Sequence, residues 1–535
     1  MSYIPIDSTD ARYNTLKKGF NLRWPAPEQA AQRILVCNDA AEAQQALDHA
    51  LTHQLRPTLR SGGHCYEGFV SNNPGGVIID IGNLTGIDTD VSAGGRRYGF
   101  RLAAGNQNWD SYLGLYRNTG KTLPGGSCYS VGLGGHISGG GYGLLSRLNG
   151  LTVDWLSGVD ILVADNGKAR LLHANASQHA DLFRLCRGAG GNNAGLITHY
   201  YFDDLPVAPG EVVVVQLQFP WDQFIDAGRP QFDAFVNAYA DFLHAADTET
   251  DTYGLFTLLK LTHVSAGNIG LTVQYTDRDG GVADLGPLLA FLKALAPFKQ
   301  ALQSAYLPGA GHPFIGSHPK TLSAQGLPTN TRVMDWLYAT QTFNGSGANQ
   351  RGKYKSAYMK QRFTEHELDA LHRYLSKTHA KDDDFAQSLV QVDSYGGAVN
   401  HAFSGNPHFD PAHNETAVPQ RSSILKLQYQ TYWTDPLNDA KHVDWLREFY
   451  WAVYRHDGFN GTPYPASQAL RGSRYEGCYI NYPDVDMLTG EQPGTAGYHW
   501  GELYYGGLYD SLVAAKRAYD PHNVFHHAMS LGATP

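Results

Sequence analysis

The sequence predicts an α+β protein built from two domains. The chain has 535 residues, and a single hydrophobic core stops growing at about 250 to 300 residues, so more than one core is expected. From about Pro27 to Pro206, short apolar runs and amphipathic helices are separated by glycine-rich turns. After Pro206, long runs of alternating apolar and polar residues predict a large antiparallel sheet with helices on one face.

Local patterns predict the elements of the first region in order. The segment DAAEAQQALDHALTHQ, residues 39–54, has alanine and leucine at helical spacing and predicts a helix, and RPTLRS after it predicts a strand. The short apolar run GVIIDIG predicts a buried strand. VDILVADNGKARLLHA predicts two strands joined at Asn166-Gly167, because Asn-Gly is a strong signal for a hairpin turn. Such elements are typical of an α+β nucleotide-binding region.

The second region predicts long strands with helices between them. The strand signals are VVVVQLQF, YGLFTLLKLTH, GLTVQYT, SLVQVDSYGGAV and ILKLQYQTYWT, and the helix signals are RPQFDAFVNAYADFLHAA and LGPLLAFLKALAPF. The last 60 residues or so predict a short strand around EGCYINYPDVDM and a terminal helix in LYDSLVAAKRAYDPHNVF.

The composition excludes several classes of function. The net charge of −9 is spread along the chain without a basic block, so no nucleic-acid partner is expected. The apolar runs are far shorter than the roughly 20 residues that span a bilayer, so no membrane association is expected. The N-terminus shows no apolar segment behind a basic start, which predicts no secretory signal and a cytoplasmic location. The five scattered cysteines fit a reducing compartment and lack the paired spacing of a zinc site.

Three glycine-rich loops are the main functional signal. They are RSGGHCYEGF (residues 60–69), LPGGSCYSVGLGGHISGGGYGLLSRLNG (123–150) and CRGAGGNNAGLIT (186–198). The second has nine glycines in the nineteen residues 125–143, a density that predicts neither a stable helix nor a central strand. One such loop alone could be a turn system without a ligand. Three of them predict a large, extended ligand whose phosphate groups are held by backbone N–H groups.

These loops, with CYINYPD and YDPHNVF near the C-terminus, resemble the berberine bridge enzyme-like group of the vanillyl-alcohol oxidase flavoprotein superfamily. The resemblance covers nearly the whole chain, from about Tyr13 to His527. It implies a PCMH-type FAD-binding domain over residues 27–206 and a substrate domain, an antiparallel sheet flanked by helices, over residues 207–474. It also implies a C-terminal segment, residues 475–535, that returns to the FAD domain.

The resemblance implies that FAD is attached through two residues. His64 matches the family histidine that bonds to the flavin 8α-methyl group, and Cys128 falls on the cysteine of GxCxxVGxGG that bonds to flavin carbon 6 in bicovalent members. An imidazole nitrogen and a thiolate are suitable nucleophiles for such bonds. Without the motif, Cys128 would be interpreted as a small buried hydrophobe. The other implied FAD contacts are Arg60, Ser61, Gly62, Gly63, Gly126, Val131, Gly132, Gly134, Gly135, His136, Gly140, Gly141, Gly195, Ile197 and Asn481.

The four other cysteines and His136 are expected to be structural. Cys37, Cys65, Cys186 and Cys478 match no attachment position of the family. His136 is expected to brace its loop rather than to react.

The substrate side of the site rests on tyrosines and one carboxylate. Oxidation of an alcohol or hemiacetal needs a base for the hydroxyl proton while a hydride leaves for the flavin. Tyr479 and Tyr482 of YINYPD match family tyrosines near the flavin, and we expect Tyr479 to be the base, with Asp393 orienting it. Gln391 and Asp393 are alternate residues of one strand and share a face.

The expected substrate contacts are less specific. They are Tyr142, Gln391, Gln428 and Gln430, and for each the alternative is a buried aromatic ring or an amide satisfied inside the sheet. Val131, three residues after Cys128, lies where the resemblance implies a gate for oxygen, and its small side chain favours an oxidase over a dehydrogenase.

The sequence thus predicts an FAD-dependent oxidase that takes a hydride from a sugar, an oligosaccharide or a glycosylated metabolite and reduces O2 to H2O2, acting as a monomer or homodimer. Oxidative cyclisation or desaturation of a secondary metabolite is the alternative within the same class. A flavin-binding protein without turnover is disfavoured because the tyrosines are present. A metal-dependent hydrolase is disfavoured because HExxH and CxxC spacings are missing, and no metal is expected.

Overall fold

The computed structural model describes residues 3–302, 319–343, 349–377, 383–456, 458–459, 461–465, 467–488 and 499–532. The described strands form three sheets, two within residues 3–206 and one in the remainder of the chain. This mixed arrangement confirms the predicted α+β class.

The first region contains nine described strands and seven described helices. The strands are β1 (Ile4–Asp7), β2 (Arg33–Val36), β3 (Pro57–Arg60), β4 (Val77–Asp80), β5 (Ile87–Ala93), β6 (Arg96–Ala103), β7 (Leu156–Asp165), β8 (Lys168–Asn175) and β9 (Leu196–Phe202). The helices are α1 (Tyr13–Leu16), α2 (Ala40–Thr52), α3 (Asn108–Thr119), α4 (Leu133–Ser138), α5 (Ser146–Asn149), α6 (Thr152–Trp155) and α7 (Ala180–Cys186).

The two sheets of this region differ in strand direction. The four-stranded sheet has the order β1-β2-β4-β3, in which β4 pairs parallel with both β2 and β3. The five-stranded sheet has the order β5-β6-β9-β7-β8 and is antiparallel. The predicted hairpin turn is confirmed, because Asn166 and Gly167 join β7 to β8 with φ angles of 49° and 76°. The predicted helix is confirmed as α2, and the two strands predicted after it are confirmed as β3 and β4.

The second region contains the remaining described strands and helices. The strands are β10 (Glu211–Pro220), β11 (Leu255–Thr262), β12 (Asn268–Tyr275), β13 (Ala301–Leu302), β14 (Lys320–Thr321), β15 (Arg332–Asp335), β16 (Arg351–Met359), β17 (Leu389–Ser394) and β18 (Leu425–Trp433). The helices are α8 (Arg229–Ala246), α9 (Gly286–Leu295), α10 (Trp336–Thr342), α11 (Glu365–Ser376), α12 (Asp439–Val453), α13 (Trp500–Tyr505) and α14 (Tyr509–Tyr519).

These strands form one antiparallel sheet of nine, in the order β14-β15-β10-β12-β11-β17-β18-β16 with β13 beside β10. Helices cover one face: the Tyr239 hydroxyl of α8 donates to the Val392 carbonyl, and the Tyr450 hydroxyl of α12 donates to the Ser356 carbonyl. Because side chains alternate between the two faces of a strand, every second side chain lies on the face opposite the helices. That opposite face, which we call the open face, carries the polar side chains of β17 and β18 toward the first region.

Two sequence predictions about local structure are wrong. The glycine-rich segment does contain a helix, α4, although it holds Gly134 and Gly135. Tertiary bonds offset the cost of glycine there, because the backbone N–H groups of Leu133 and Gly134 donate to the carbonyls of Asn106 and Ala104.

The second wrong prediction is the short strand in the C-terminal segment. Residues 474–477 bond to β16 through single backbone contacts, such as Tyr358 N–H to the Gly477 carbonyl. Gly477 has a φ of 76°, which turns the chain away from the sheet edge before a strand can extend. The terminal helix, in contrast, is confirmed as α14.

Among the helices that the structure describes, none combines the length and the apolarity needed to cross a bilayer. In the same described residues, His, Cys, Asp and Glu side chains do not gather in any group of three or more that could hold a metal ion.

Candidate functional site

A cavity lies between the glycine-rich loops of the first region and the open face of the large sheet, with the C-terminal segment as its third side. It brings together most residues that the sequence singled out. Those lining it are Arg60, Ser61, Gly62, Gly63, His64, Gly126, Cys128, Val131, Gly132, Gly134, Gly135, His136, Tyr142, Gly195, Ile197, Gln391, Asp393, Gln428, Tyr479, Asn481 and Tyr482. Gly140, Gly141 and Gln430 lie outside its lining.

His64 reaches the cavity from a turn formed by Gly62 and Gly63. Gly63 has a φ of 75°, a conformation that favours glycine. The His64 ring stacks on Phe20 with 4.4 Å between ring centroids, and its Nε2 lies 3.1 Å from Ser130 Oγ. Burial lowers the pKa of His64 to about 4. The ring is therefore neutral near pH 7 and keeps the nitrogen lone pair that a nucleophile needs.

Cys128 lines the same cavity, and two side chains of α3 hold the backbone at and just before this residue. Its carbonyl accepts a hydrogen bond of 2.9 Å from Asn108 Nδ2, and the Gly126 carbonyl accepts one of 2.7 Å from the Tyr112 hydroxyl. The other four cysteines are poor nucleophiles, because a thiol with a strongly raised pKa forms little thiolate. Burial raises the pKa to about 12 for Cys37, Cys65, Cys186 and Cys478.

The glycines of these loops serve two purposes. A Cβ on Gly62 would lie 2.2 Å from the backbone nitrogen of Gly132, and a Cβ on Gly132 would lie 2.3 Å from that of Gly62. These two glycines let the first and second loops pack backbone against backbone. A Cβ on Gly135 would meet nothing within 4 Å. The backbone at Gly135 is therefore exposed to the cavity, which leaves room for a ligand to approach it.

Gly140 and Gly141, two of the expected FAD contacts, lie outside the cavity lining. Their φ angles are 129° and 73°, and a Cβ on Gly141 would lie 2.5 Å from the Thr152 side chain of α6. They turn the chain after α4 and pack against α6, so tight packing explains these glycines.

His136 braces the second loop, as expected. Its Nε2 accepts a hydrogen bond of 2.9 Å from the backbone N–H of Gly126. Burial, with a smaller contribution from the charge of Lys426, lowers the pKa of His136 to about 4. The neutral ring is the form that can accept this bond.

The third loop carries polar atoms that lack a partner within the protein. Both amide atoms of the Asn192 side chain are buried without a hydrogen bond, and Asn192 lines the cavity. Buried polar atoms are costly when unsatisfied, so they indicate a ligand at this place. Together with the bare backbone at Gly135 and the two nucleophiles, His64 and Cys128, this donor set fits FAD.

Tyr479 and Tyr482 enter the cavity from the C-terminal segment with ring centroids 5.0 Å apart. Asn481 Nδ2 donates to the Tyr479 hydroxyl at 3.1 Å and to the His136 carbonyl at 3.0 Å, which fixes the segment against the second loop. Burial raises the pKa of Tyr479 to about 12. Burial and then the charge of Asp393 raise the pKa of Tyr482 well above its usual value. A phenol that acts as a base here needs a neighbouring cation.

Asp393, which we expected to orient Tyr479, makes its side-chain hydrogen bonds to other residues. Asp393 Oδ2 accepts hydrogen bonds of 2.7 Å from Lys426 Nζ and from Gln428 Nε2. Its Oδ1 accepts one of 2.7 Å from Gln391 Nε2. The register of the sheet explains this, because Asp393 on β17 stands directly opposite Lys426 on β18.

Lys426 is the residue that the sequence analysis missed. Its side chain is 0% exposed, and Nζ lies 3.3 Å from the Tyr482 hydroxyl. The ammonium group also lies over three rings, 4.5 Å from Tyr142, 4.6 Å from Tyr482 and 5.3 Å from Tyr479. Burial lowers the pKa of Lys426, and the charge of Asp393 opposes that change. Lys426 is thus a cation that lies close to both phenols.

A signal for Lys426 was present in the sequence. In LKLQYQ, Lys426, Gln428 and Gln430 occupy every second position of an apolar strand, so they share one face. A buried lysine is rare unless it is paired, which makes its position worth attention.

Two predicted substrate contacts are placed differently from expectation. The Tyr142 hydroxyl donates to the Ser394 carbonyl, so the ring rather than the hydroxyl is available at the cavity. Gln430 lies behind Gln428 and donates through Nε2 to Gln428 Oε1 at 2.9 Å. It supports the orientation of Gln428 and does not reach the cavity.

Comparisons with known proteins agree with this geometry. Residues 31–172 match the family described as FAD binding domain, and residues 478–532 match the family described as Berberine and berberine like. Hexose oxidase of Chondrus crispus is 36% identical over 98% of this chain and 94% of its own length. Aclacinomycin-N/aclacinomycin-A oxidase of Streptomyces galilaeus is 30% identical over 99% of this chain and 89% of its own.

Two solved structures are similar over almost the entire chain. One is the oxidoreductase that catalyses the terminal step of gilvocarcin biosynthesis, in complex with pregilvocarcin, with a TM-score of 0.84 at 30% identity over 99% of this chain and 100% of that one. The other is a glycopeptide hexose oxidase complexed with teicoplanin, with a TM-score of 0.80 at 30% identity over 99% of both chains.

Proposed function

The chain belongs to the berberine bridge enzyme-like family of FAD-linked oxidoreductases, and from that premise we propose that it oxidises a CH–OH group of a sugar, an oligosaccharide or a glycosylated metabolite and passes the electrons to O2 as H2O2. The observation that carries the proposal is the pair Asp393–Lys426, buried beside Tyr482 in the cavity that also holds His64 and Cys128. The names of the hexose oxidases among the relatives add support for a carbohydrate substrate.

His64 and Cys128 are the residues that would hold FAD covalently. Both line the cavity, and both are fixed by neighbouring bonds, His64 through Ser130 and Cys128 through Asn108. The chemistry that FAD supplies when bound is acceptance of a hydride from the carbon that bears the hydroxyl group. The remaining tasks, which are binding the substrate and moving its proton, fall to the residues of this chain.

The tyrosine pair takes the hydroxyl proton of the substrate. A phenol with a raised pKa becomes a base only if its anion is stabilised, and the Lys426 ammonium group 3.3 Å from the Tyr482 hydroxyl provides that stabilisation. This contact favours Tyr482 over Tyr479 as the base. Tyr479, held by Asn481, then orients the substrate hydroxyl.

Asp393 favours the charged form of Lys426 but does not cancel the stabilisation that Lys426 gives to a tyrosinate at Tyr482. Alone, the carboxylate would hold the ammonium group and raise the cost of a second negative charge beside it. The amide groups of Gln391 and Gln428 also donate to the carboxylate, so its charge is shared among three donors. The ammonium group therefore remains able to support a tyrosinate at Tyr482.

Val131 supports the choice of O2 as the electron acceptor. It lines the cavity, its backbone N–H donates to the Cys128 carbonyl at 3.3 Å, and its side chain is small. In Val131→Leu, the bulkier side chain should slow reoxidation of the reduced flavin and leave the rate of flavin reduction by substrate unchanged.

Two measurements test the proposal. The first is a peroxide-coupled screen of sugars, oligosaccharides and polycyclic alcohols with the purified enzyme; reduction of the flavin by sugars with release of H2O2 is expected. The second is peptide mass mapping of flavin adducts, for which we expect modified peptides that contain His64 and Cys128. Flavin reduction by polycyclic aglycones alone would instead support oxidative cyclisation or desaturation. Flavin on the His64 peptide alone would rule out double attachment.

A further inference from the structure

Strand β16 is an edge strand of the large sheet, and its two faces carry different chemistry. Tyr354 stands opposite Gln430 of β18 and therefore lies on the open face. Lys353 and Lys355 alternate with it and point to the helical side, where Lys355 Nζ lies 5.2 Å from the ring of Tyr450 in α12.

Two cavity-lining segments pass around this edge. One is the histidine turn, residues 64–67, and the other is the tyrosine segment, residues 479–486. Each carries a residue to which the proposed reaction assigns a role, His64 in the first and Tyr482 in the second. Neither segment is part of a strand that would fix its distance from the cavity.

Each segment places an aromatic ring on the open face and an acid on the helical side. In the histidine turn, Tyr66 stacks on Tyr354 with 3.6 Å between ring centroids, and Glu67 follows it. In the tyrosine segment, the Tyr482 ring lies 5.9 Å from that of Tyr354, and Asp484 comes two residues later. The two segments therefore contact the edge strand on both faces of the sheet.

The acids meet the two lysines in a buried cluster. Lys353 Nζ lies 2.7 Å from Glu67 Oε1 and 2.7 Å from Asp484 Oδ1. Lys355 Nζ lies 2.6 Å from Asp484 Oδ2 and 2.7 Å from Asp486 Oδ2. The side chains of both lysines, Glu67 and Asp484 are at most 3% exposed. Lys353 therefore joins the two segments to each other, and Lys355 fixes the second one at two points.

The cluster is balanced in charge. Arg447 of α12 lies 2.9 Å from Asp486 Oδ1 and adds a third cation against the three carboxylates. Burial alone would lower the pKa of Lys353, but the charges of Asp484, Glu67 and Asp486 outweigh it and raise that pKa. Removing Lys353 would leave the buried Glu67 without its cation, and removing Lys355 would leave Asp484 and Asp486 each with one cation fewer; the segments could relieve either change only by moving.

We propose that Lys353 and Lys355 are positioning residues for the reaction, which act through Glu67 and Asp484 to set how far the histidine turn and Tyr482 reach into the cavity. Neither lysine lines the cavity, so neither contacts substrate or cofactor. The catalytic part of this inference rests on the proposed function, whereas the positional part does not.

Hydrogen–deuterium exchange of the holoenzyme tests the positional part without any substrate. In Lys353→Met, peptides that cover residues 64–69 and 479–487 should exchange at least tenfold faster, because the ionic link between the segments is lost. The direct bond that remains, from the Val485 N–H to Glu67 Oε1, is long at 3.4 Å. In Lys355→Met, only the second peptide should change to that extent. Lys353→Arg keeps the charge and should restore slow exchange.

Flavin reduction by a sugar from the screen tests the catalytic part. The rate constant should fall by about 10- to 100-fold in Lys353→Met, since displacements of about 1 Å have such effects, with KM within twofold of the parent value and recovery in Lys353→Arg. If the parent enzyme reacts with no sugar, the proposed function fails while the exchange result still decides the positional inference.

Arg351→Met is the matched control, because Arg351 lies on the same strand but pairs with Asp439 of α12 rather than with either segment. It should lower the melting temperature without changing exchange in either peptide. If Lys353→Met does not fold, Glu67→Gln takes its place and should accelerate exchange of residues 64–69 alone. Unchanged exchange in the lysine variants, or the same change in Arg351→Met, would overturn the proposal.

Discussion

The two walls of the cavity are built in opposite ways. The loop wall, made by the three glycine-rich loops, offers backbone and small side chains, and its shape depends on Cβ atoms being absent at points such as Gly62 and Gly135. The sheet wall, made by the open face of β17 and β18, offers a buried ion pair with amide groups around it. The loop wall is therefore sensitive to added volume, and the sheet wall is sensitive to lost charge.

The largest effect is expected on the sheet wall, from Lys426→Met. The substitution leaves the Asp393 carboxylate buried with amide donors only and removes the cation beside Tyr482. Loss of one group that stabilises developing charge costs roughly 10²- to 10³-fold in rate. We expect the rate of flavin reduction to fall by about 10³-fold, because the substitution removes both the partner of Asp393 and the cation beside Tyr482. Stopped-flow absorbance with the sugar identified by the screen measures this rate.

The control for this variant is Arg351→Met, which also removes a cation from the large sheet but pairs with Asp439 of α12 and lies outside the cavity lining. Its rate should stay within a fewfold of the parent enzyme. The covalent flavin content of both variants, measured from the absorbance of acid-precipitated protein, should be unchanged. Loss of covalent flavin in Lys426→Met would show that the two walls are not independent.

The next largest effect is expected on the loop wall, from Gly62→Ala. The added Cβ meets the Gly132 backbone at 2.2 Å, and two backbones cannot yield as a flexible side chain can. Overpacking costs about 1–3 kcal/mol and occasionally more, so we expect a loss near the upper end, seen as a lower melting temperature and incomplete flavin incorporation. Gly135→Ala adds the same methyl group into open space. It should keep the parent melting temperature without flavin, and equal destabilisation by both changes would contradict this account of the loop wall.

A smaller effect on the loop wall depends on pH, through His136. Its pKa is lowered to about 4 by burial and by the charge of Lys426, whereas the unfolded chain takes up the proton near the ordinary value of about 6.5. Between about pH 6.5 and 4 the unfolded state binds more protons, so stability falls as the pH falls through that range and is constant above it. Protonation would also break the bond from Gly126.

We expect this histidine to contribute on the order of 2 kcal/mol to the loss of stability at pH 5. His136→Gln keeps a hydrogen-bond acceptor but does not titrate, so its melting temperature should fall less steeply on acidification. Melting curves from pH 8 to pH 4 measure the difference. Parallel pH profiles of the parent and the variant would show that His136 does not titrate as described.

The contrast between the walls also explains what the sequence could predict. His64, Cys128 and their glycines are neighbours in the chain, so the motif that carries them is visible without a structure. Asp393 and Lys426 are 33 residues apart, and only the register of β17 against β18 makes them partners. The helix α4 was likewise hidden, because tertiary bonds to Asn106 and Ala104 offset its glycine content.

The smallest effect separates the two glutamines of the sheet wall. Gln428 lines the cavity and donates to Asp393, whereas Gln430 lies outside the lining, donates to Gln428 and accepts from the Tyr432 hydroxyl. A neutral hydrogen bond contributes about 0.5–1.5 kcal/mol, so Gln430→Leu should change KM and the reduction rate by no more than about threefold. Gln428→Leu should raise KM about tenfold, because it removes a bond to the carboxylate and a polar contact for the substrate. Steady-state kinetics with a peroxide-coupled assay resolves the difference, and equal effects of the two substitutions would mean that substrate contacts Gln430 directly.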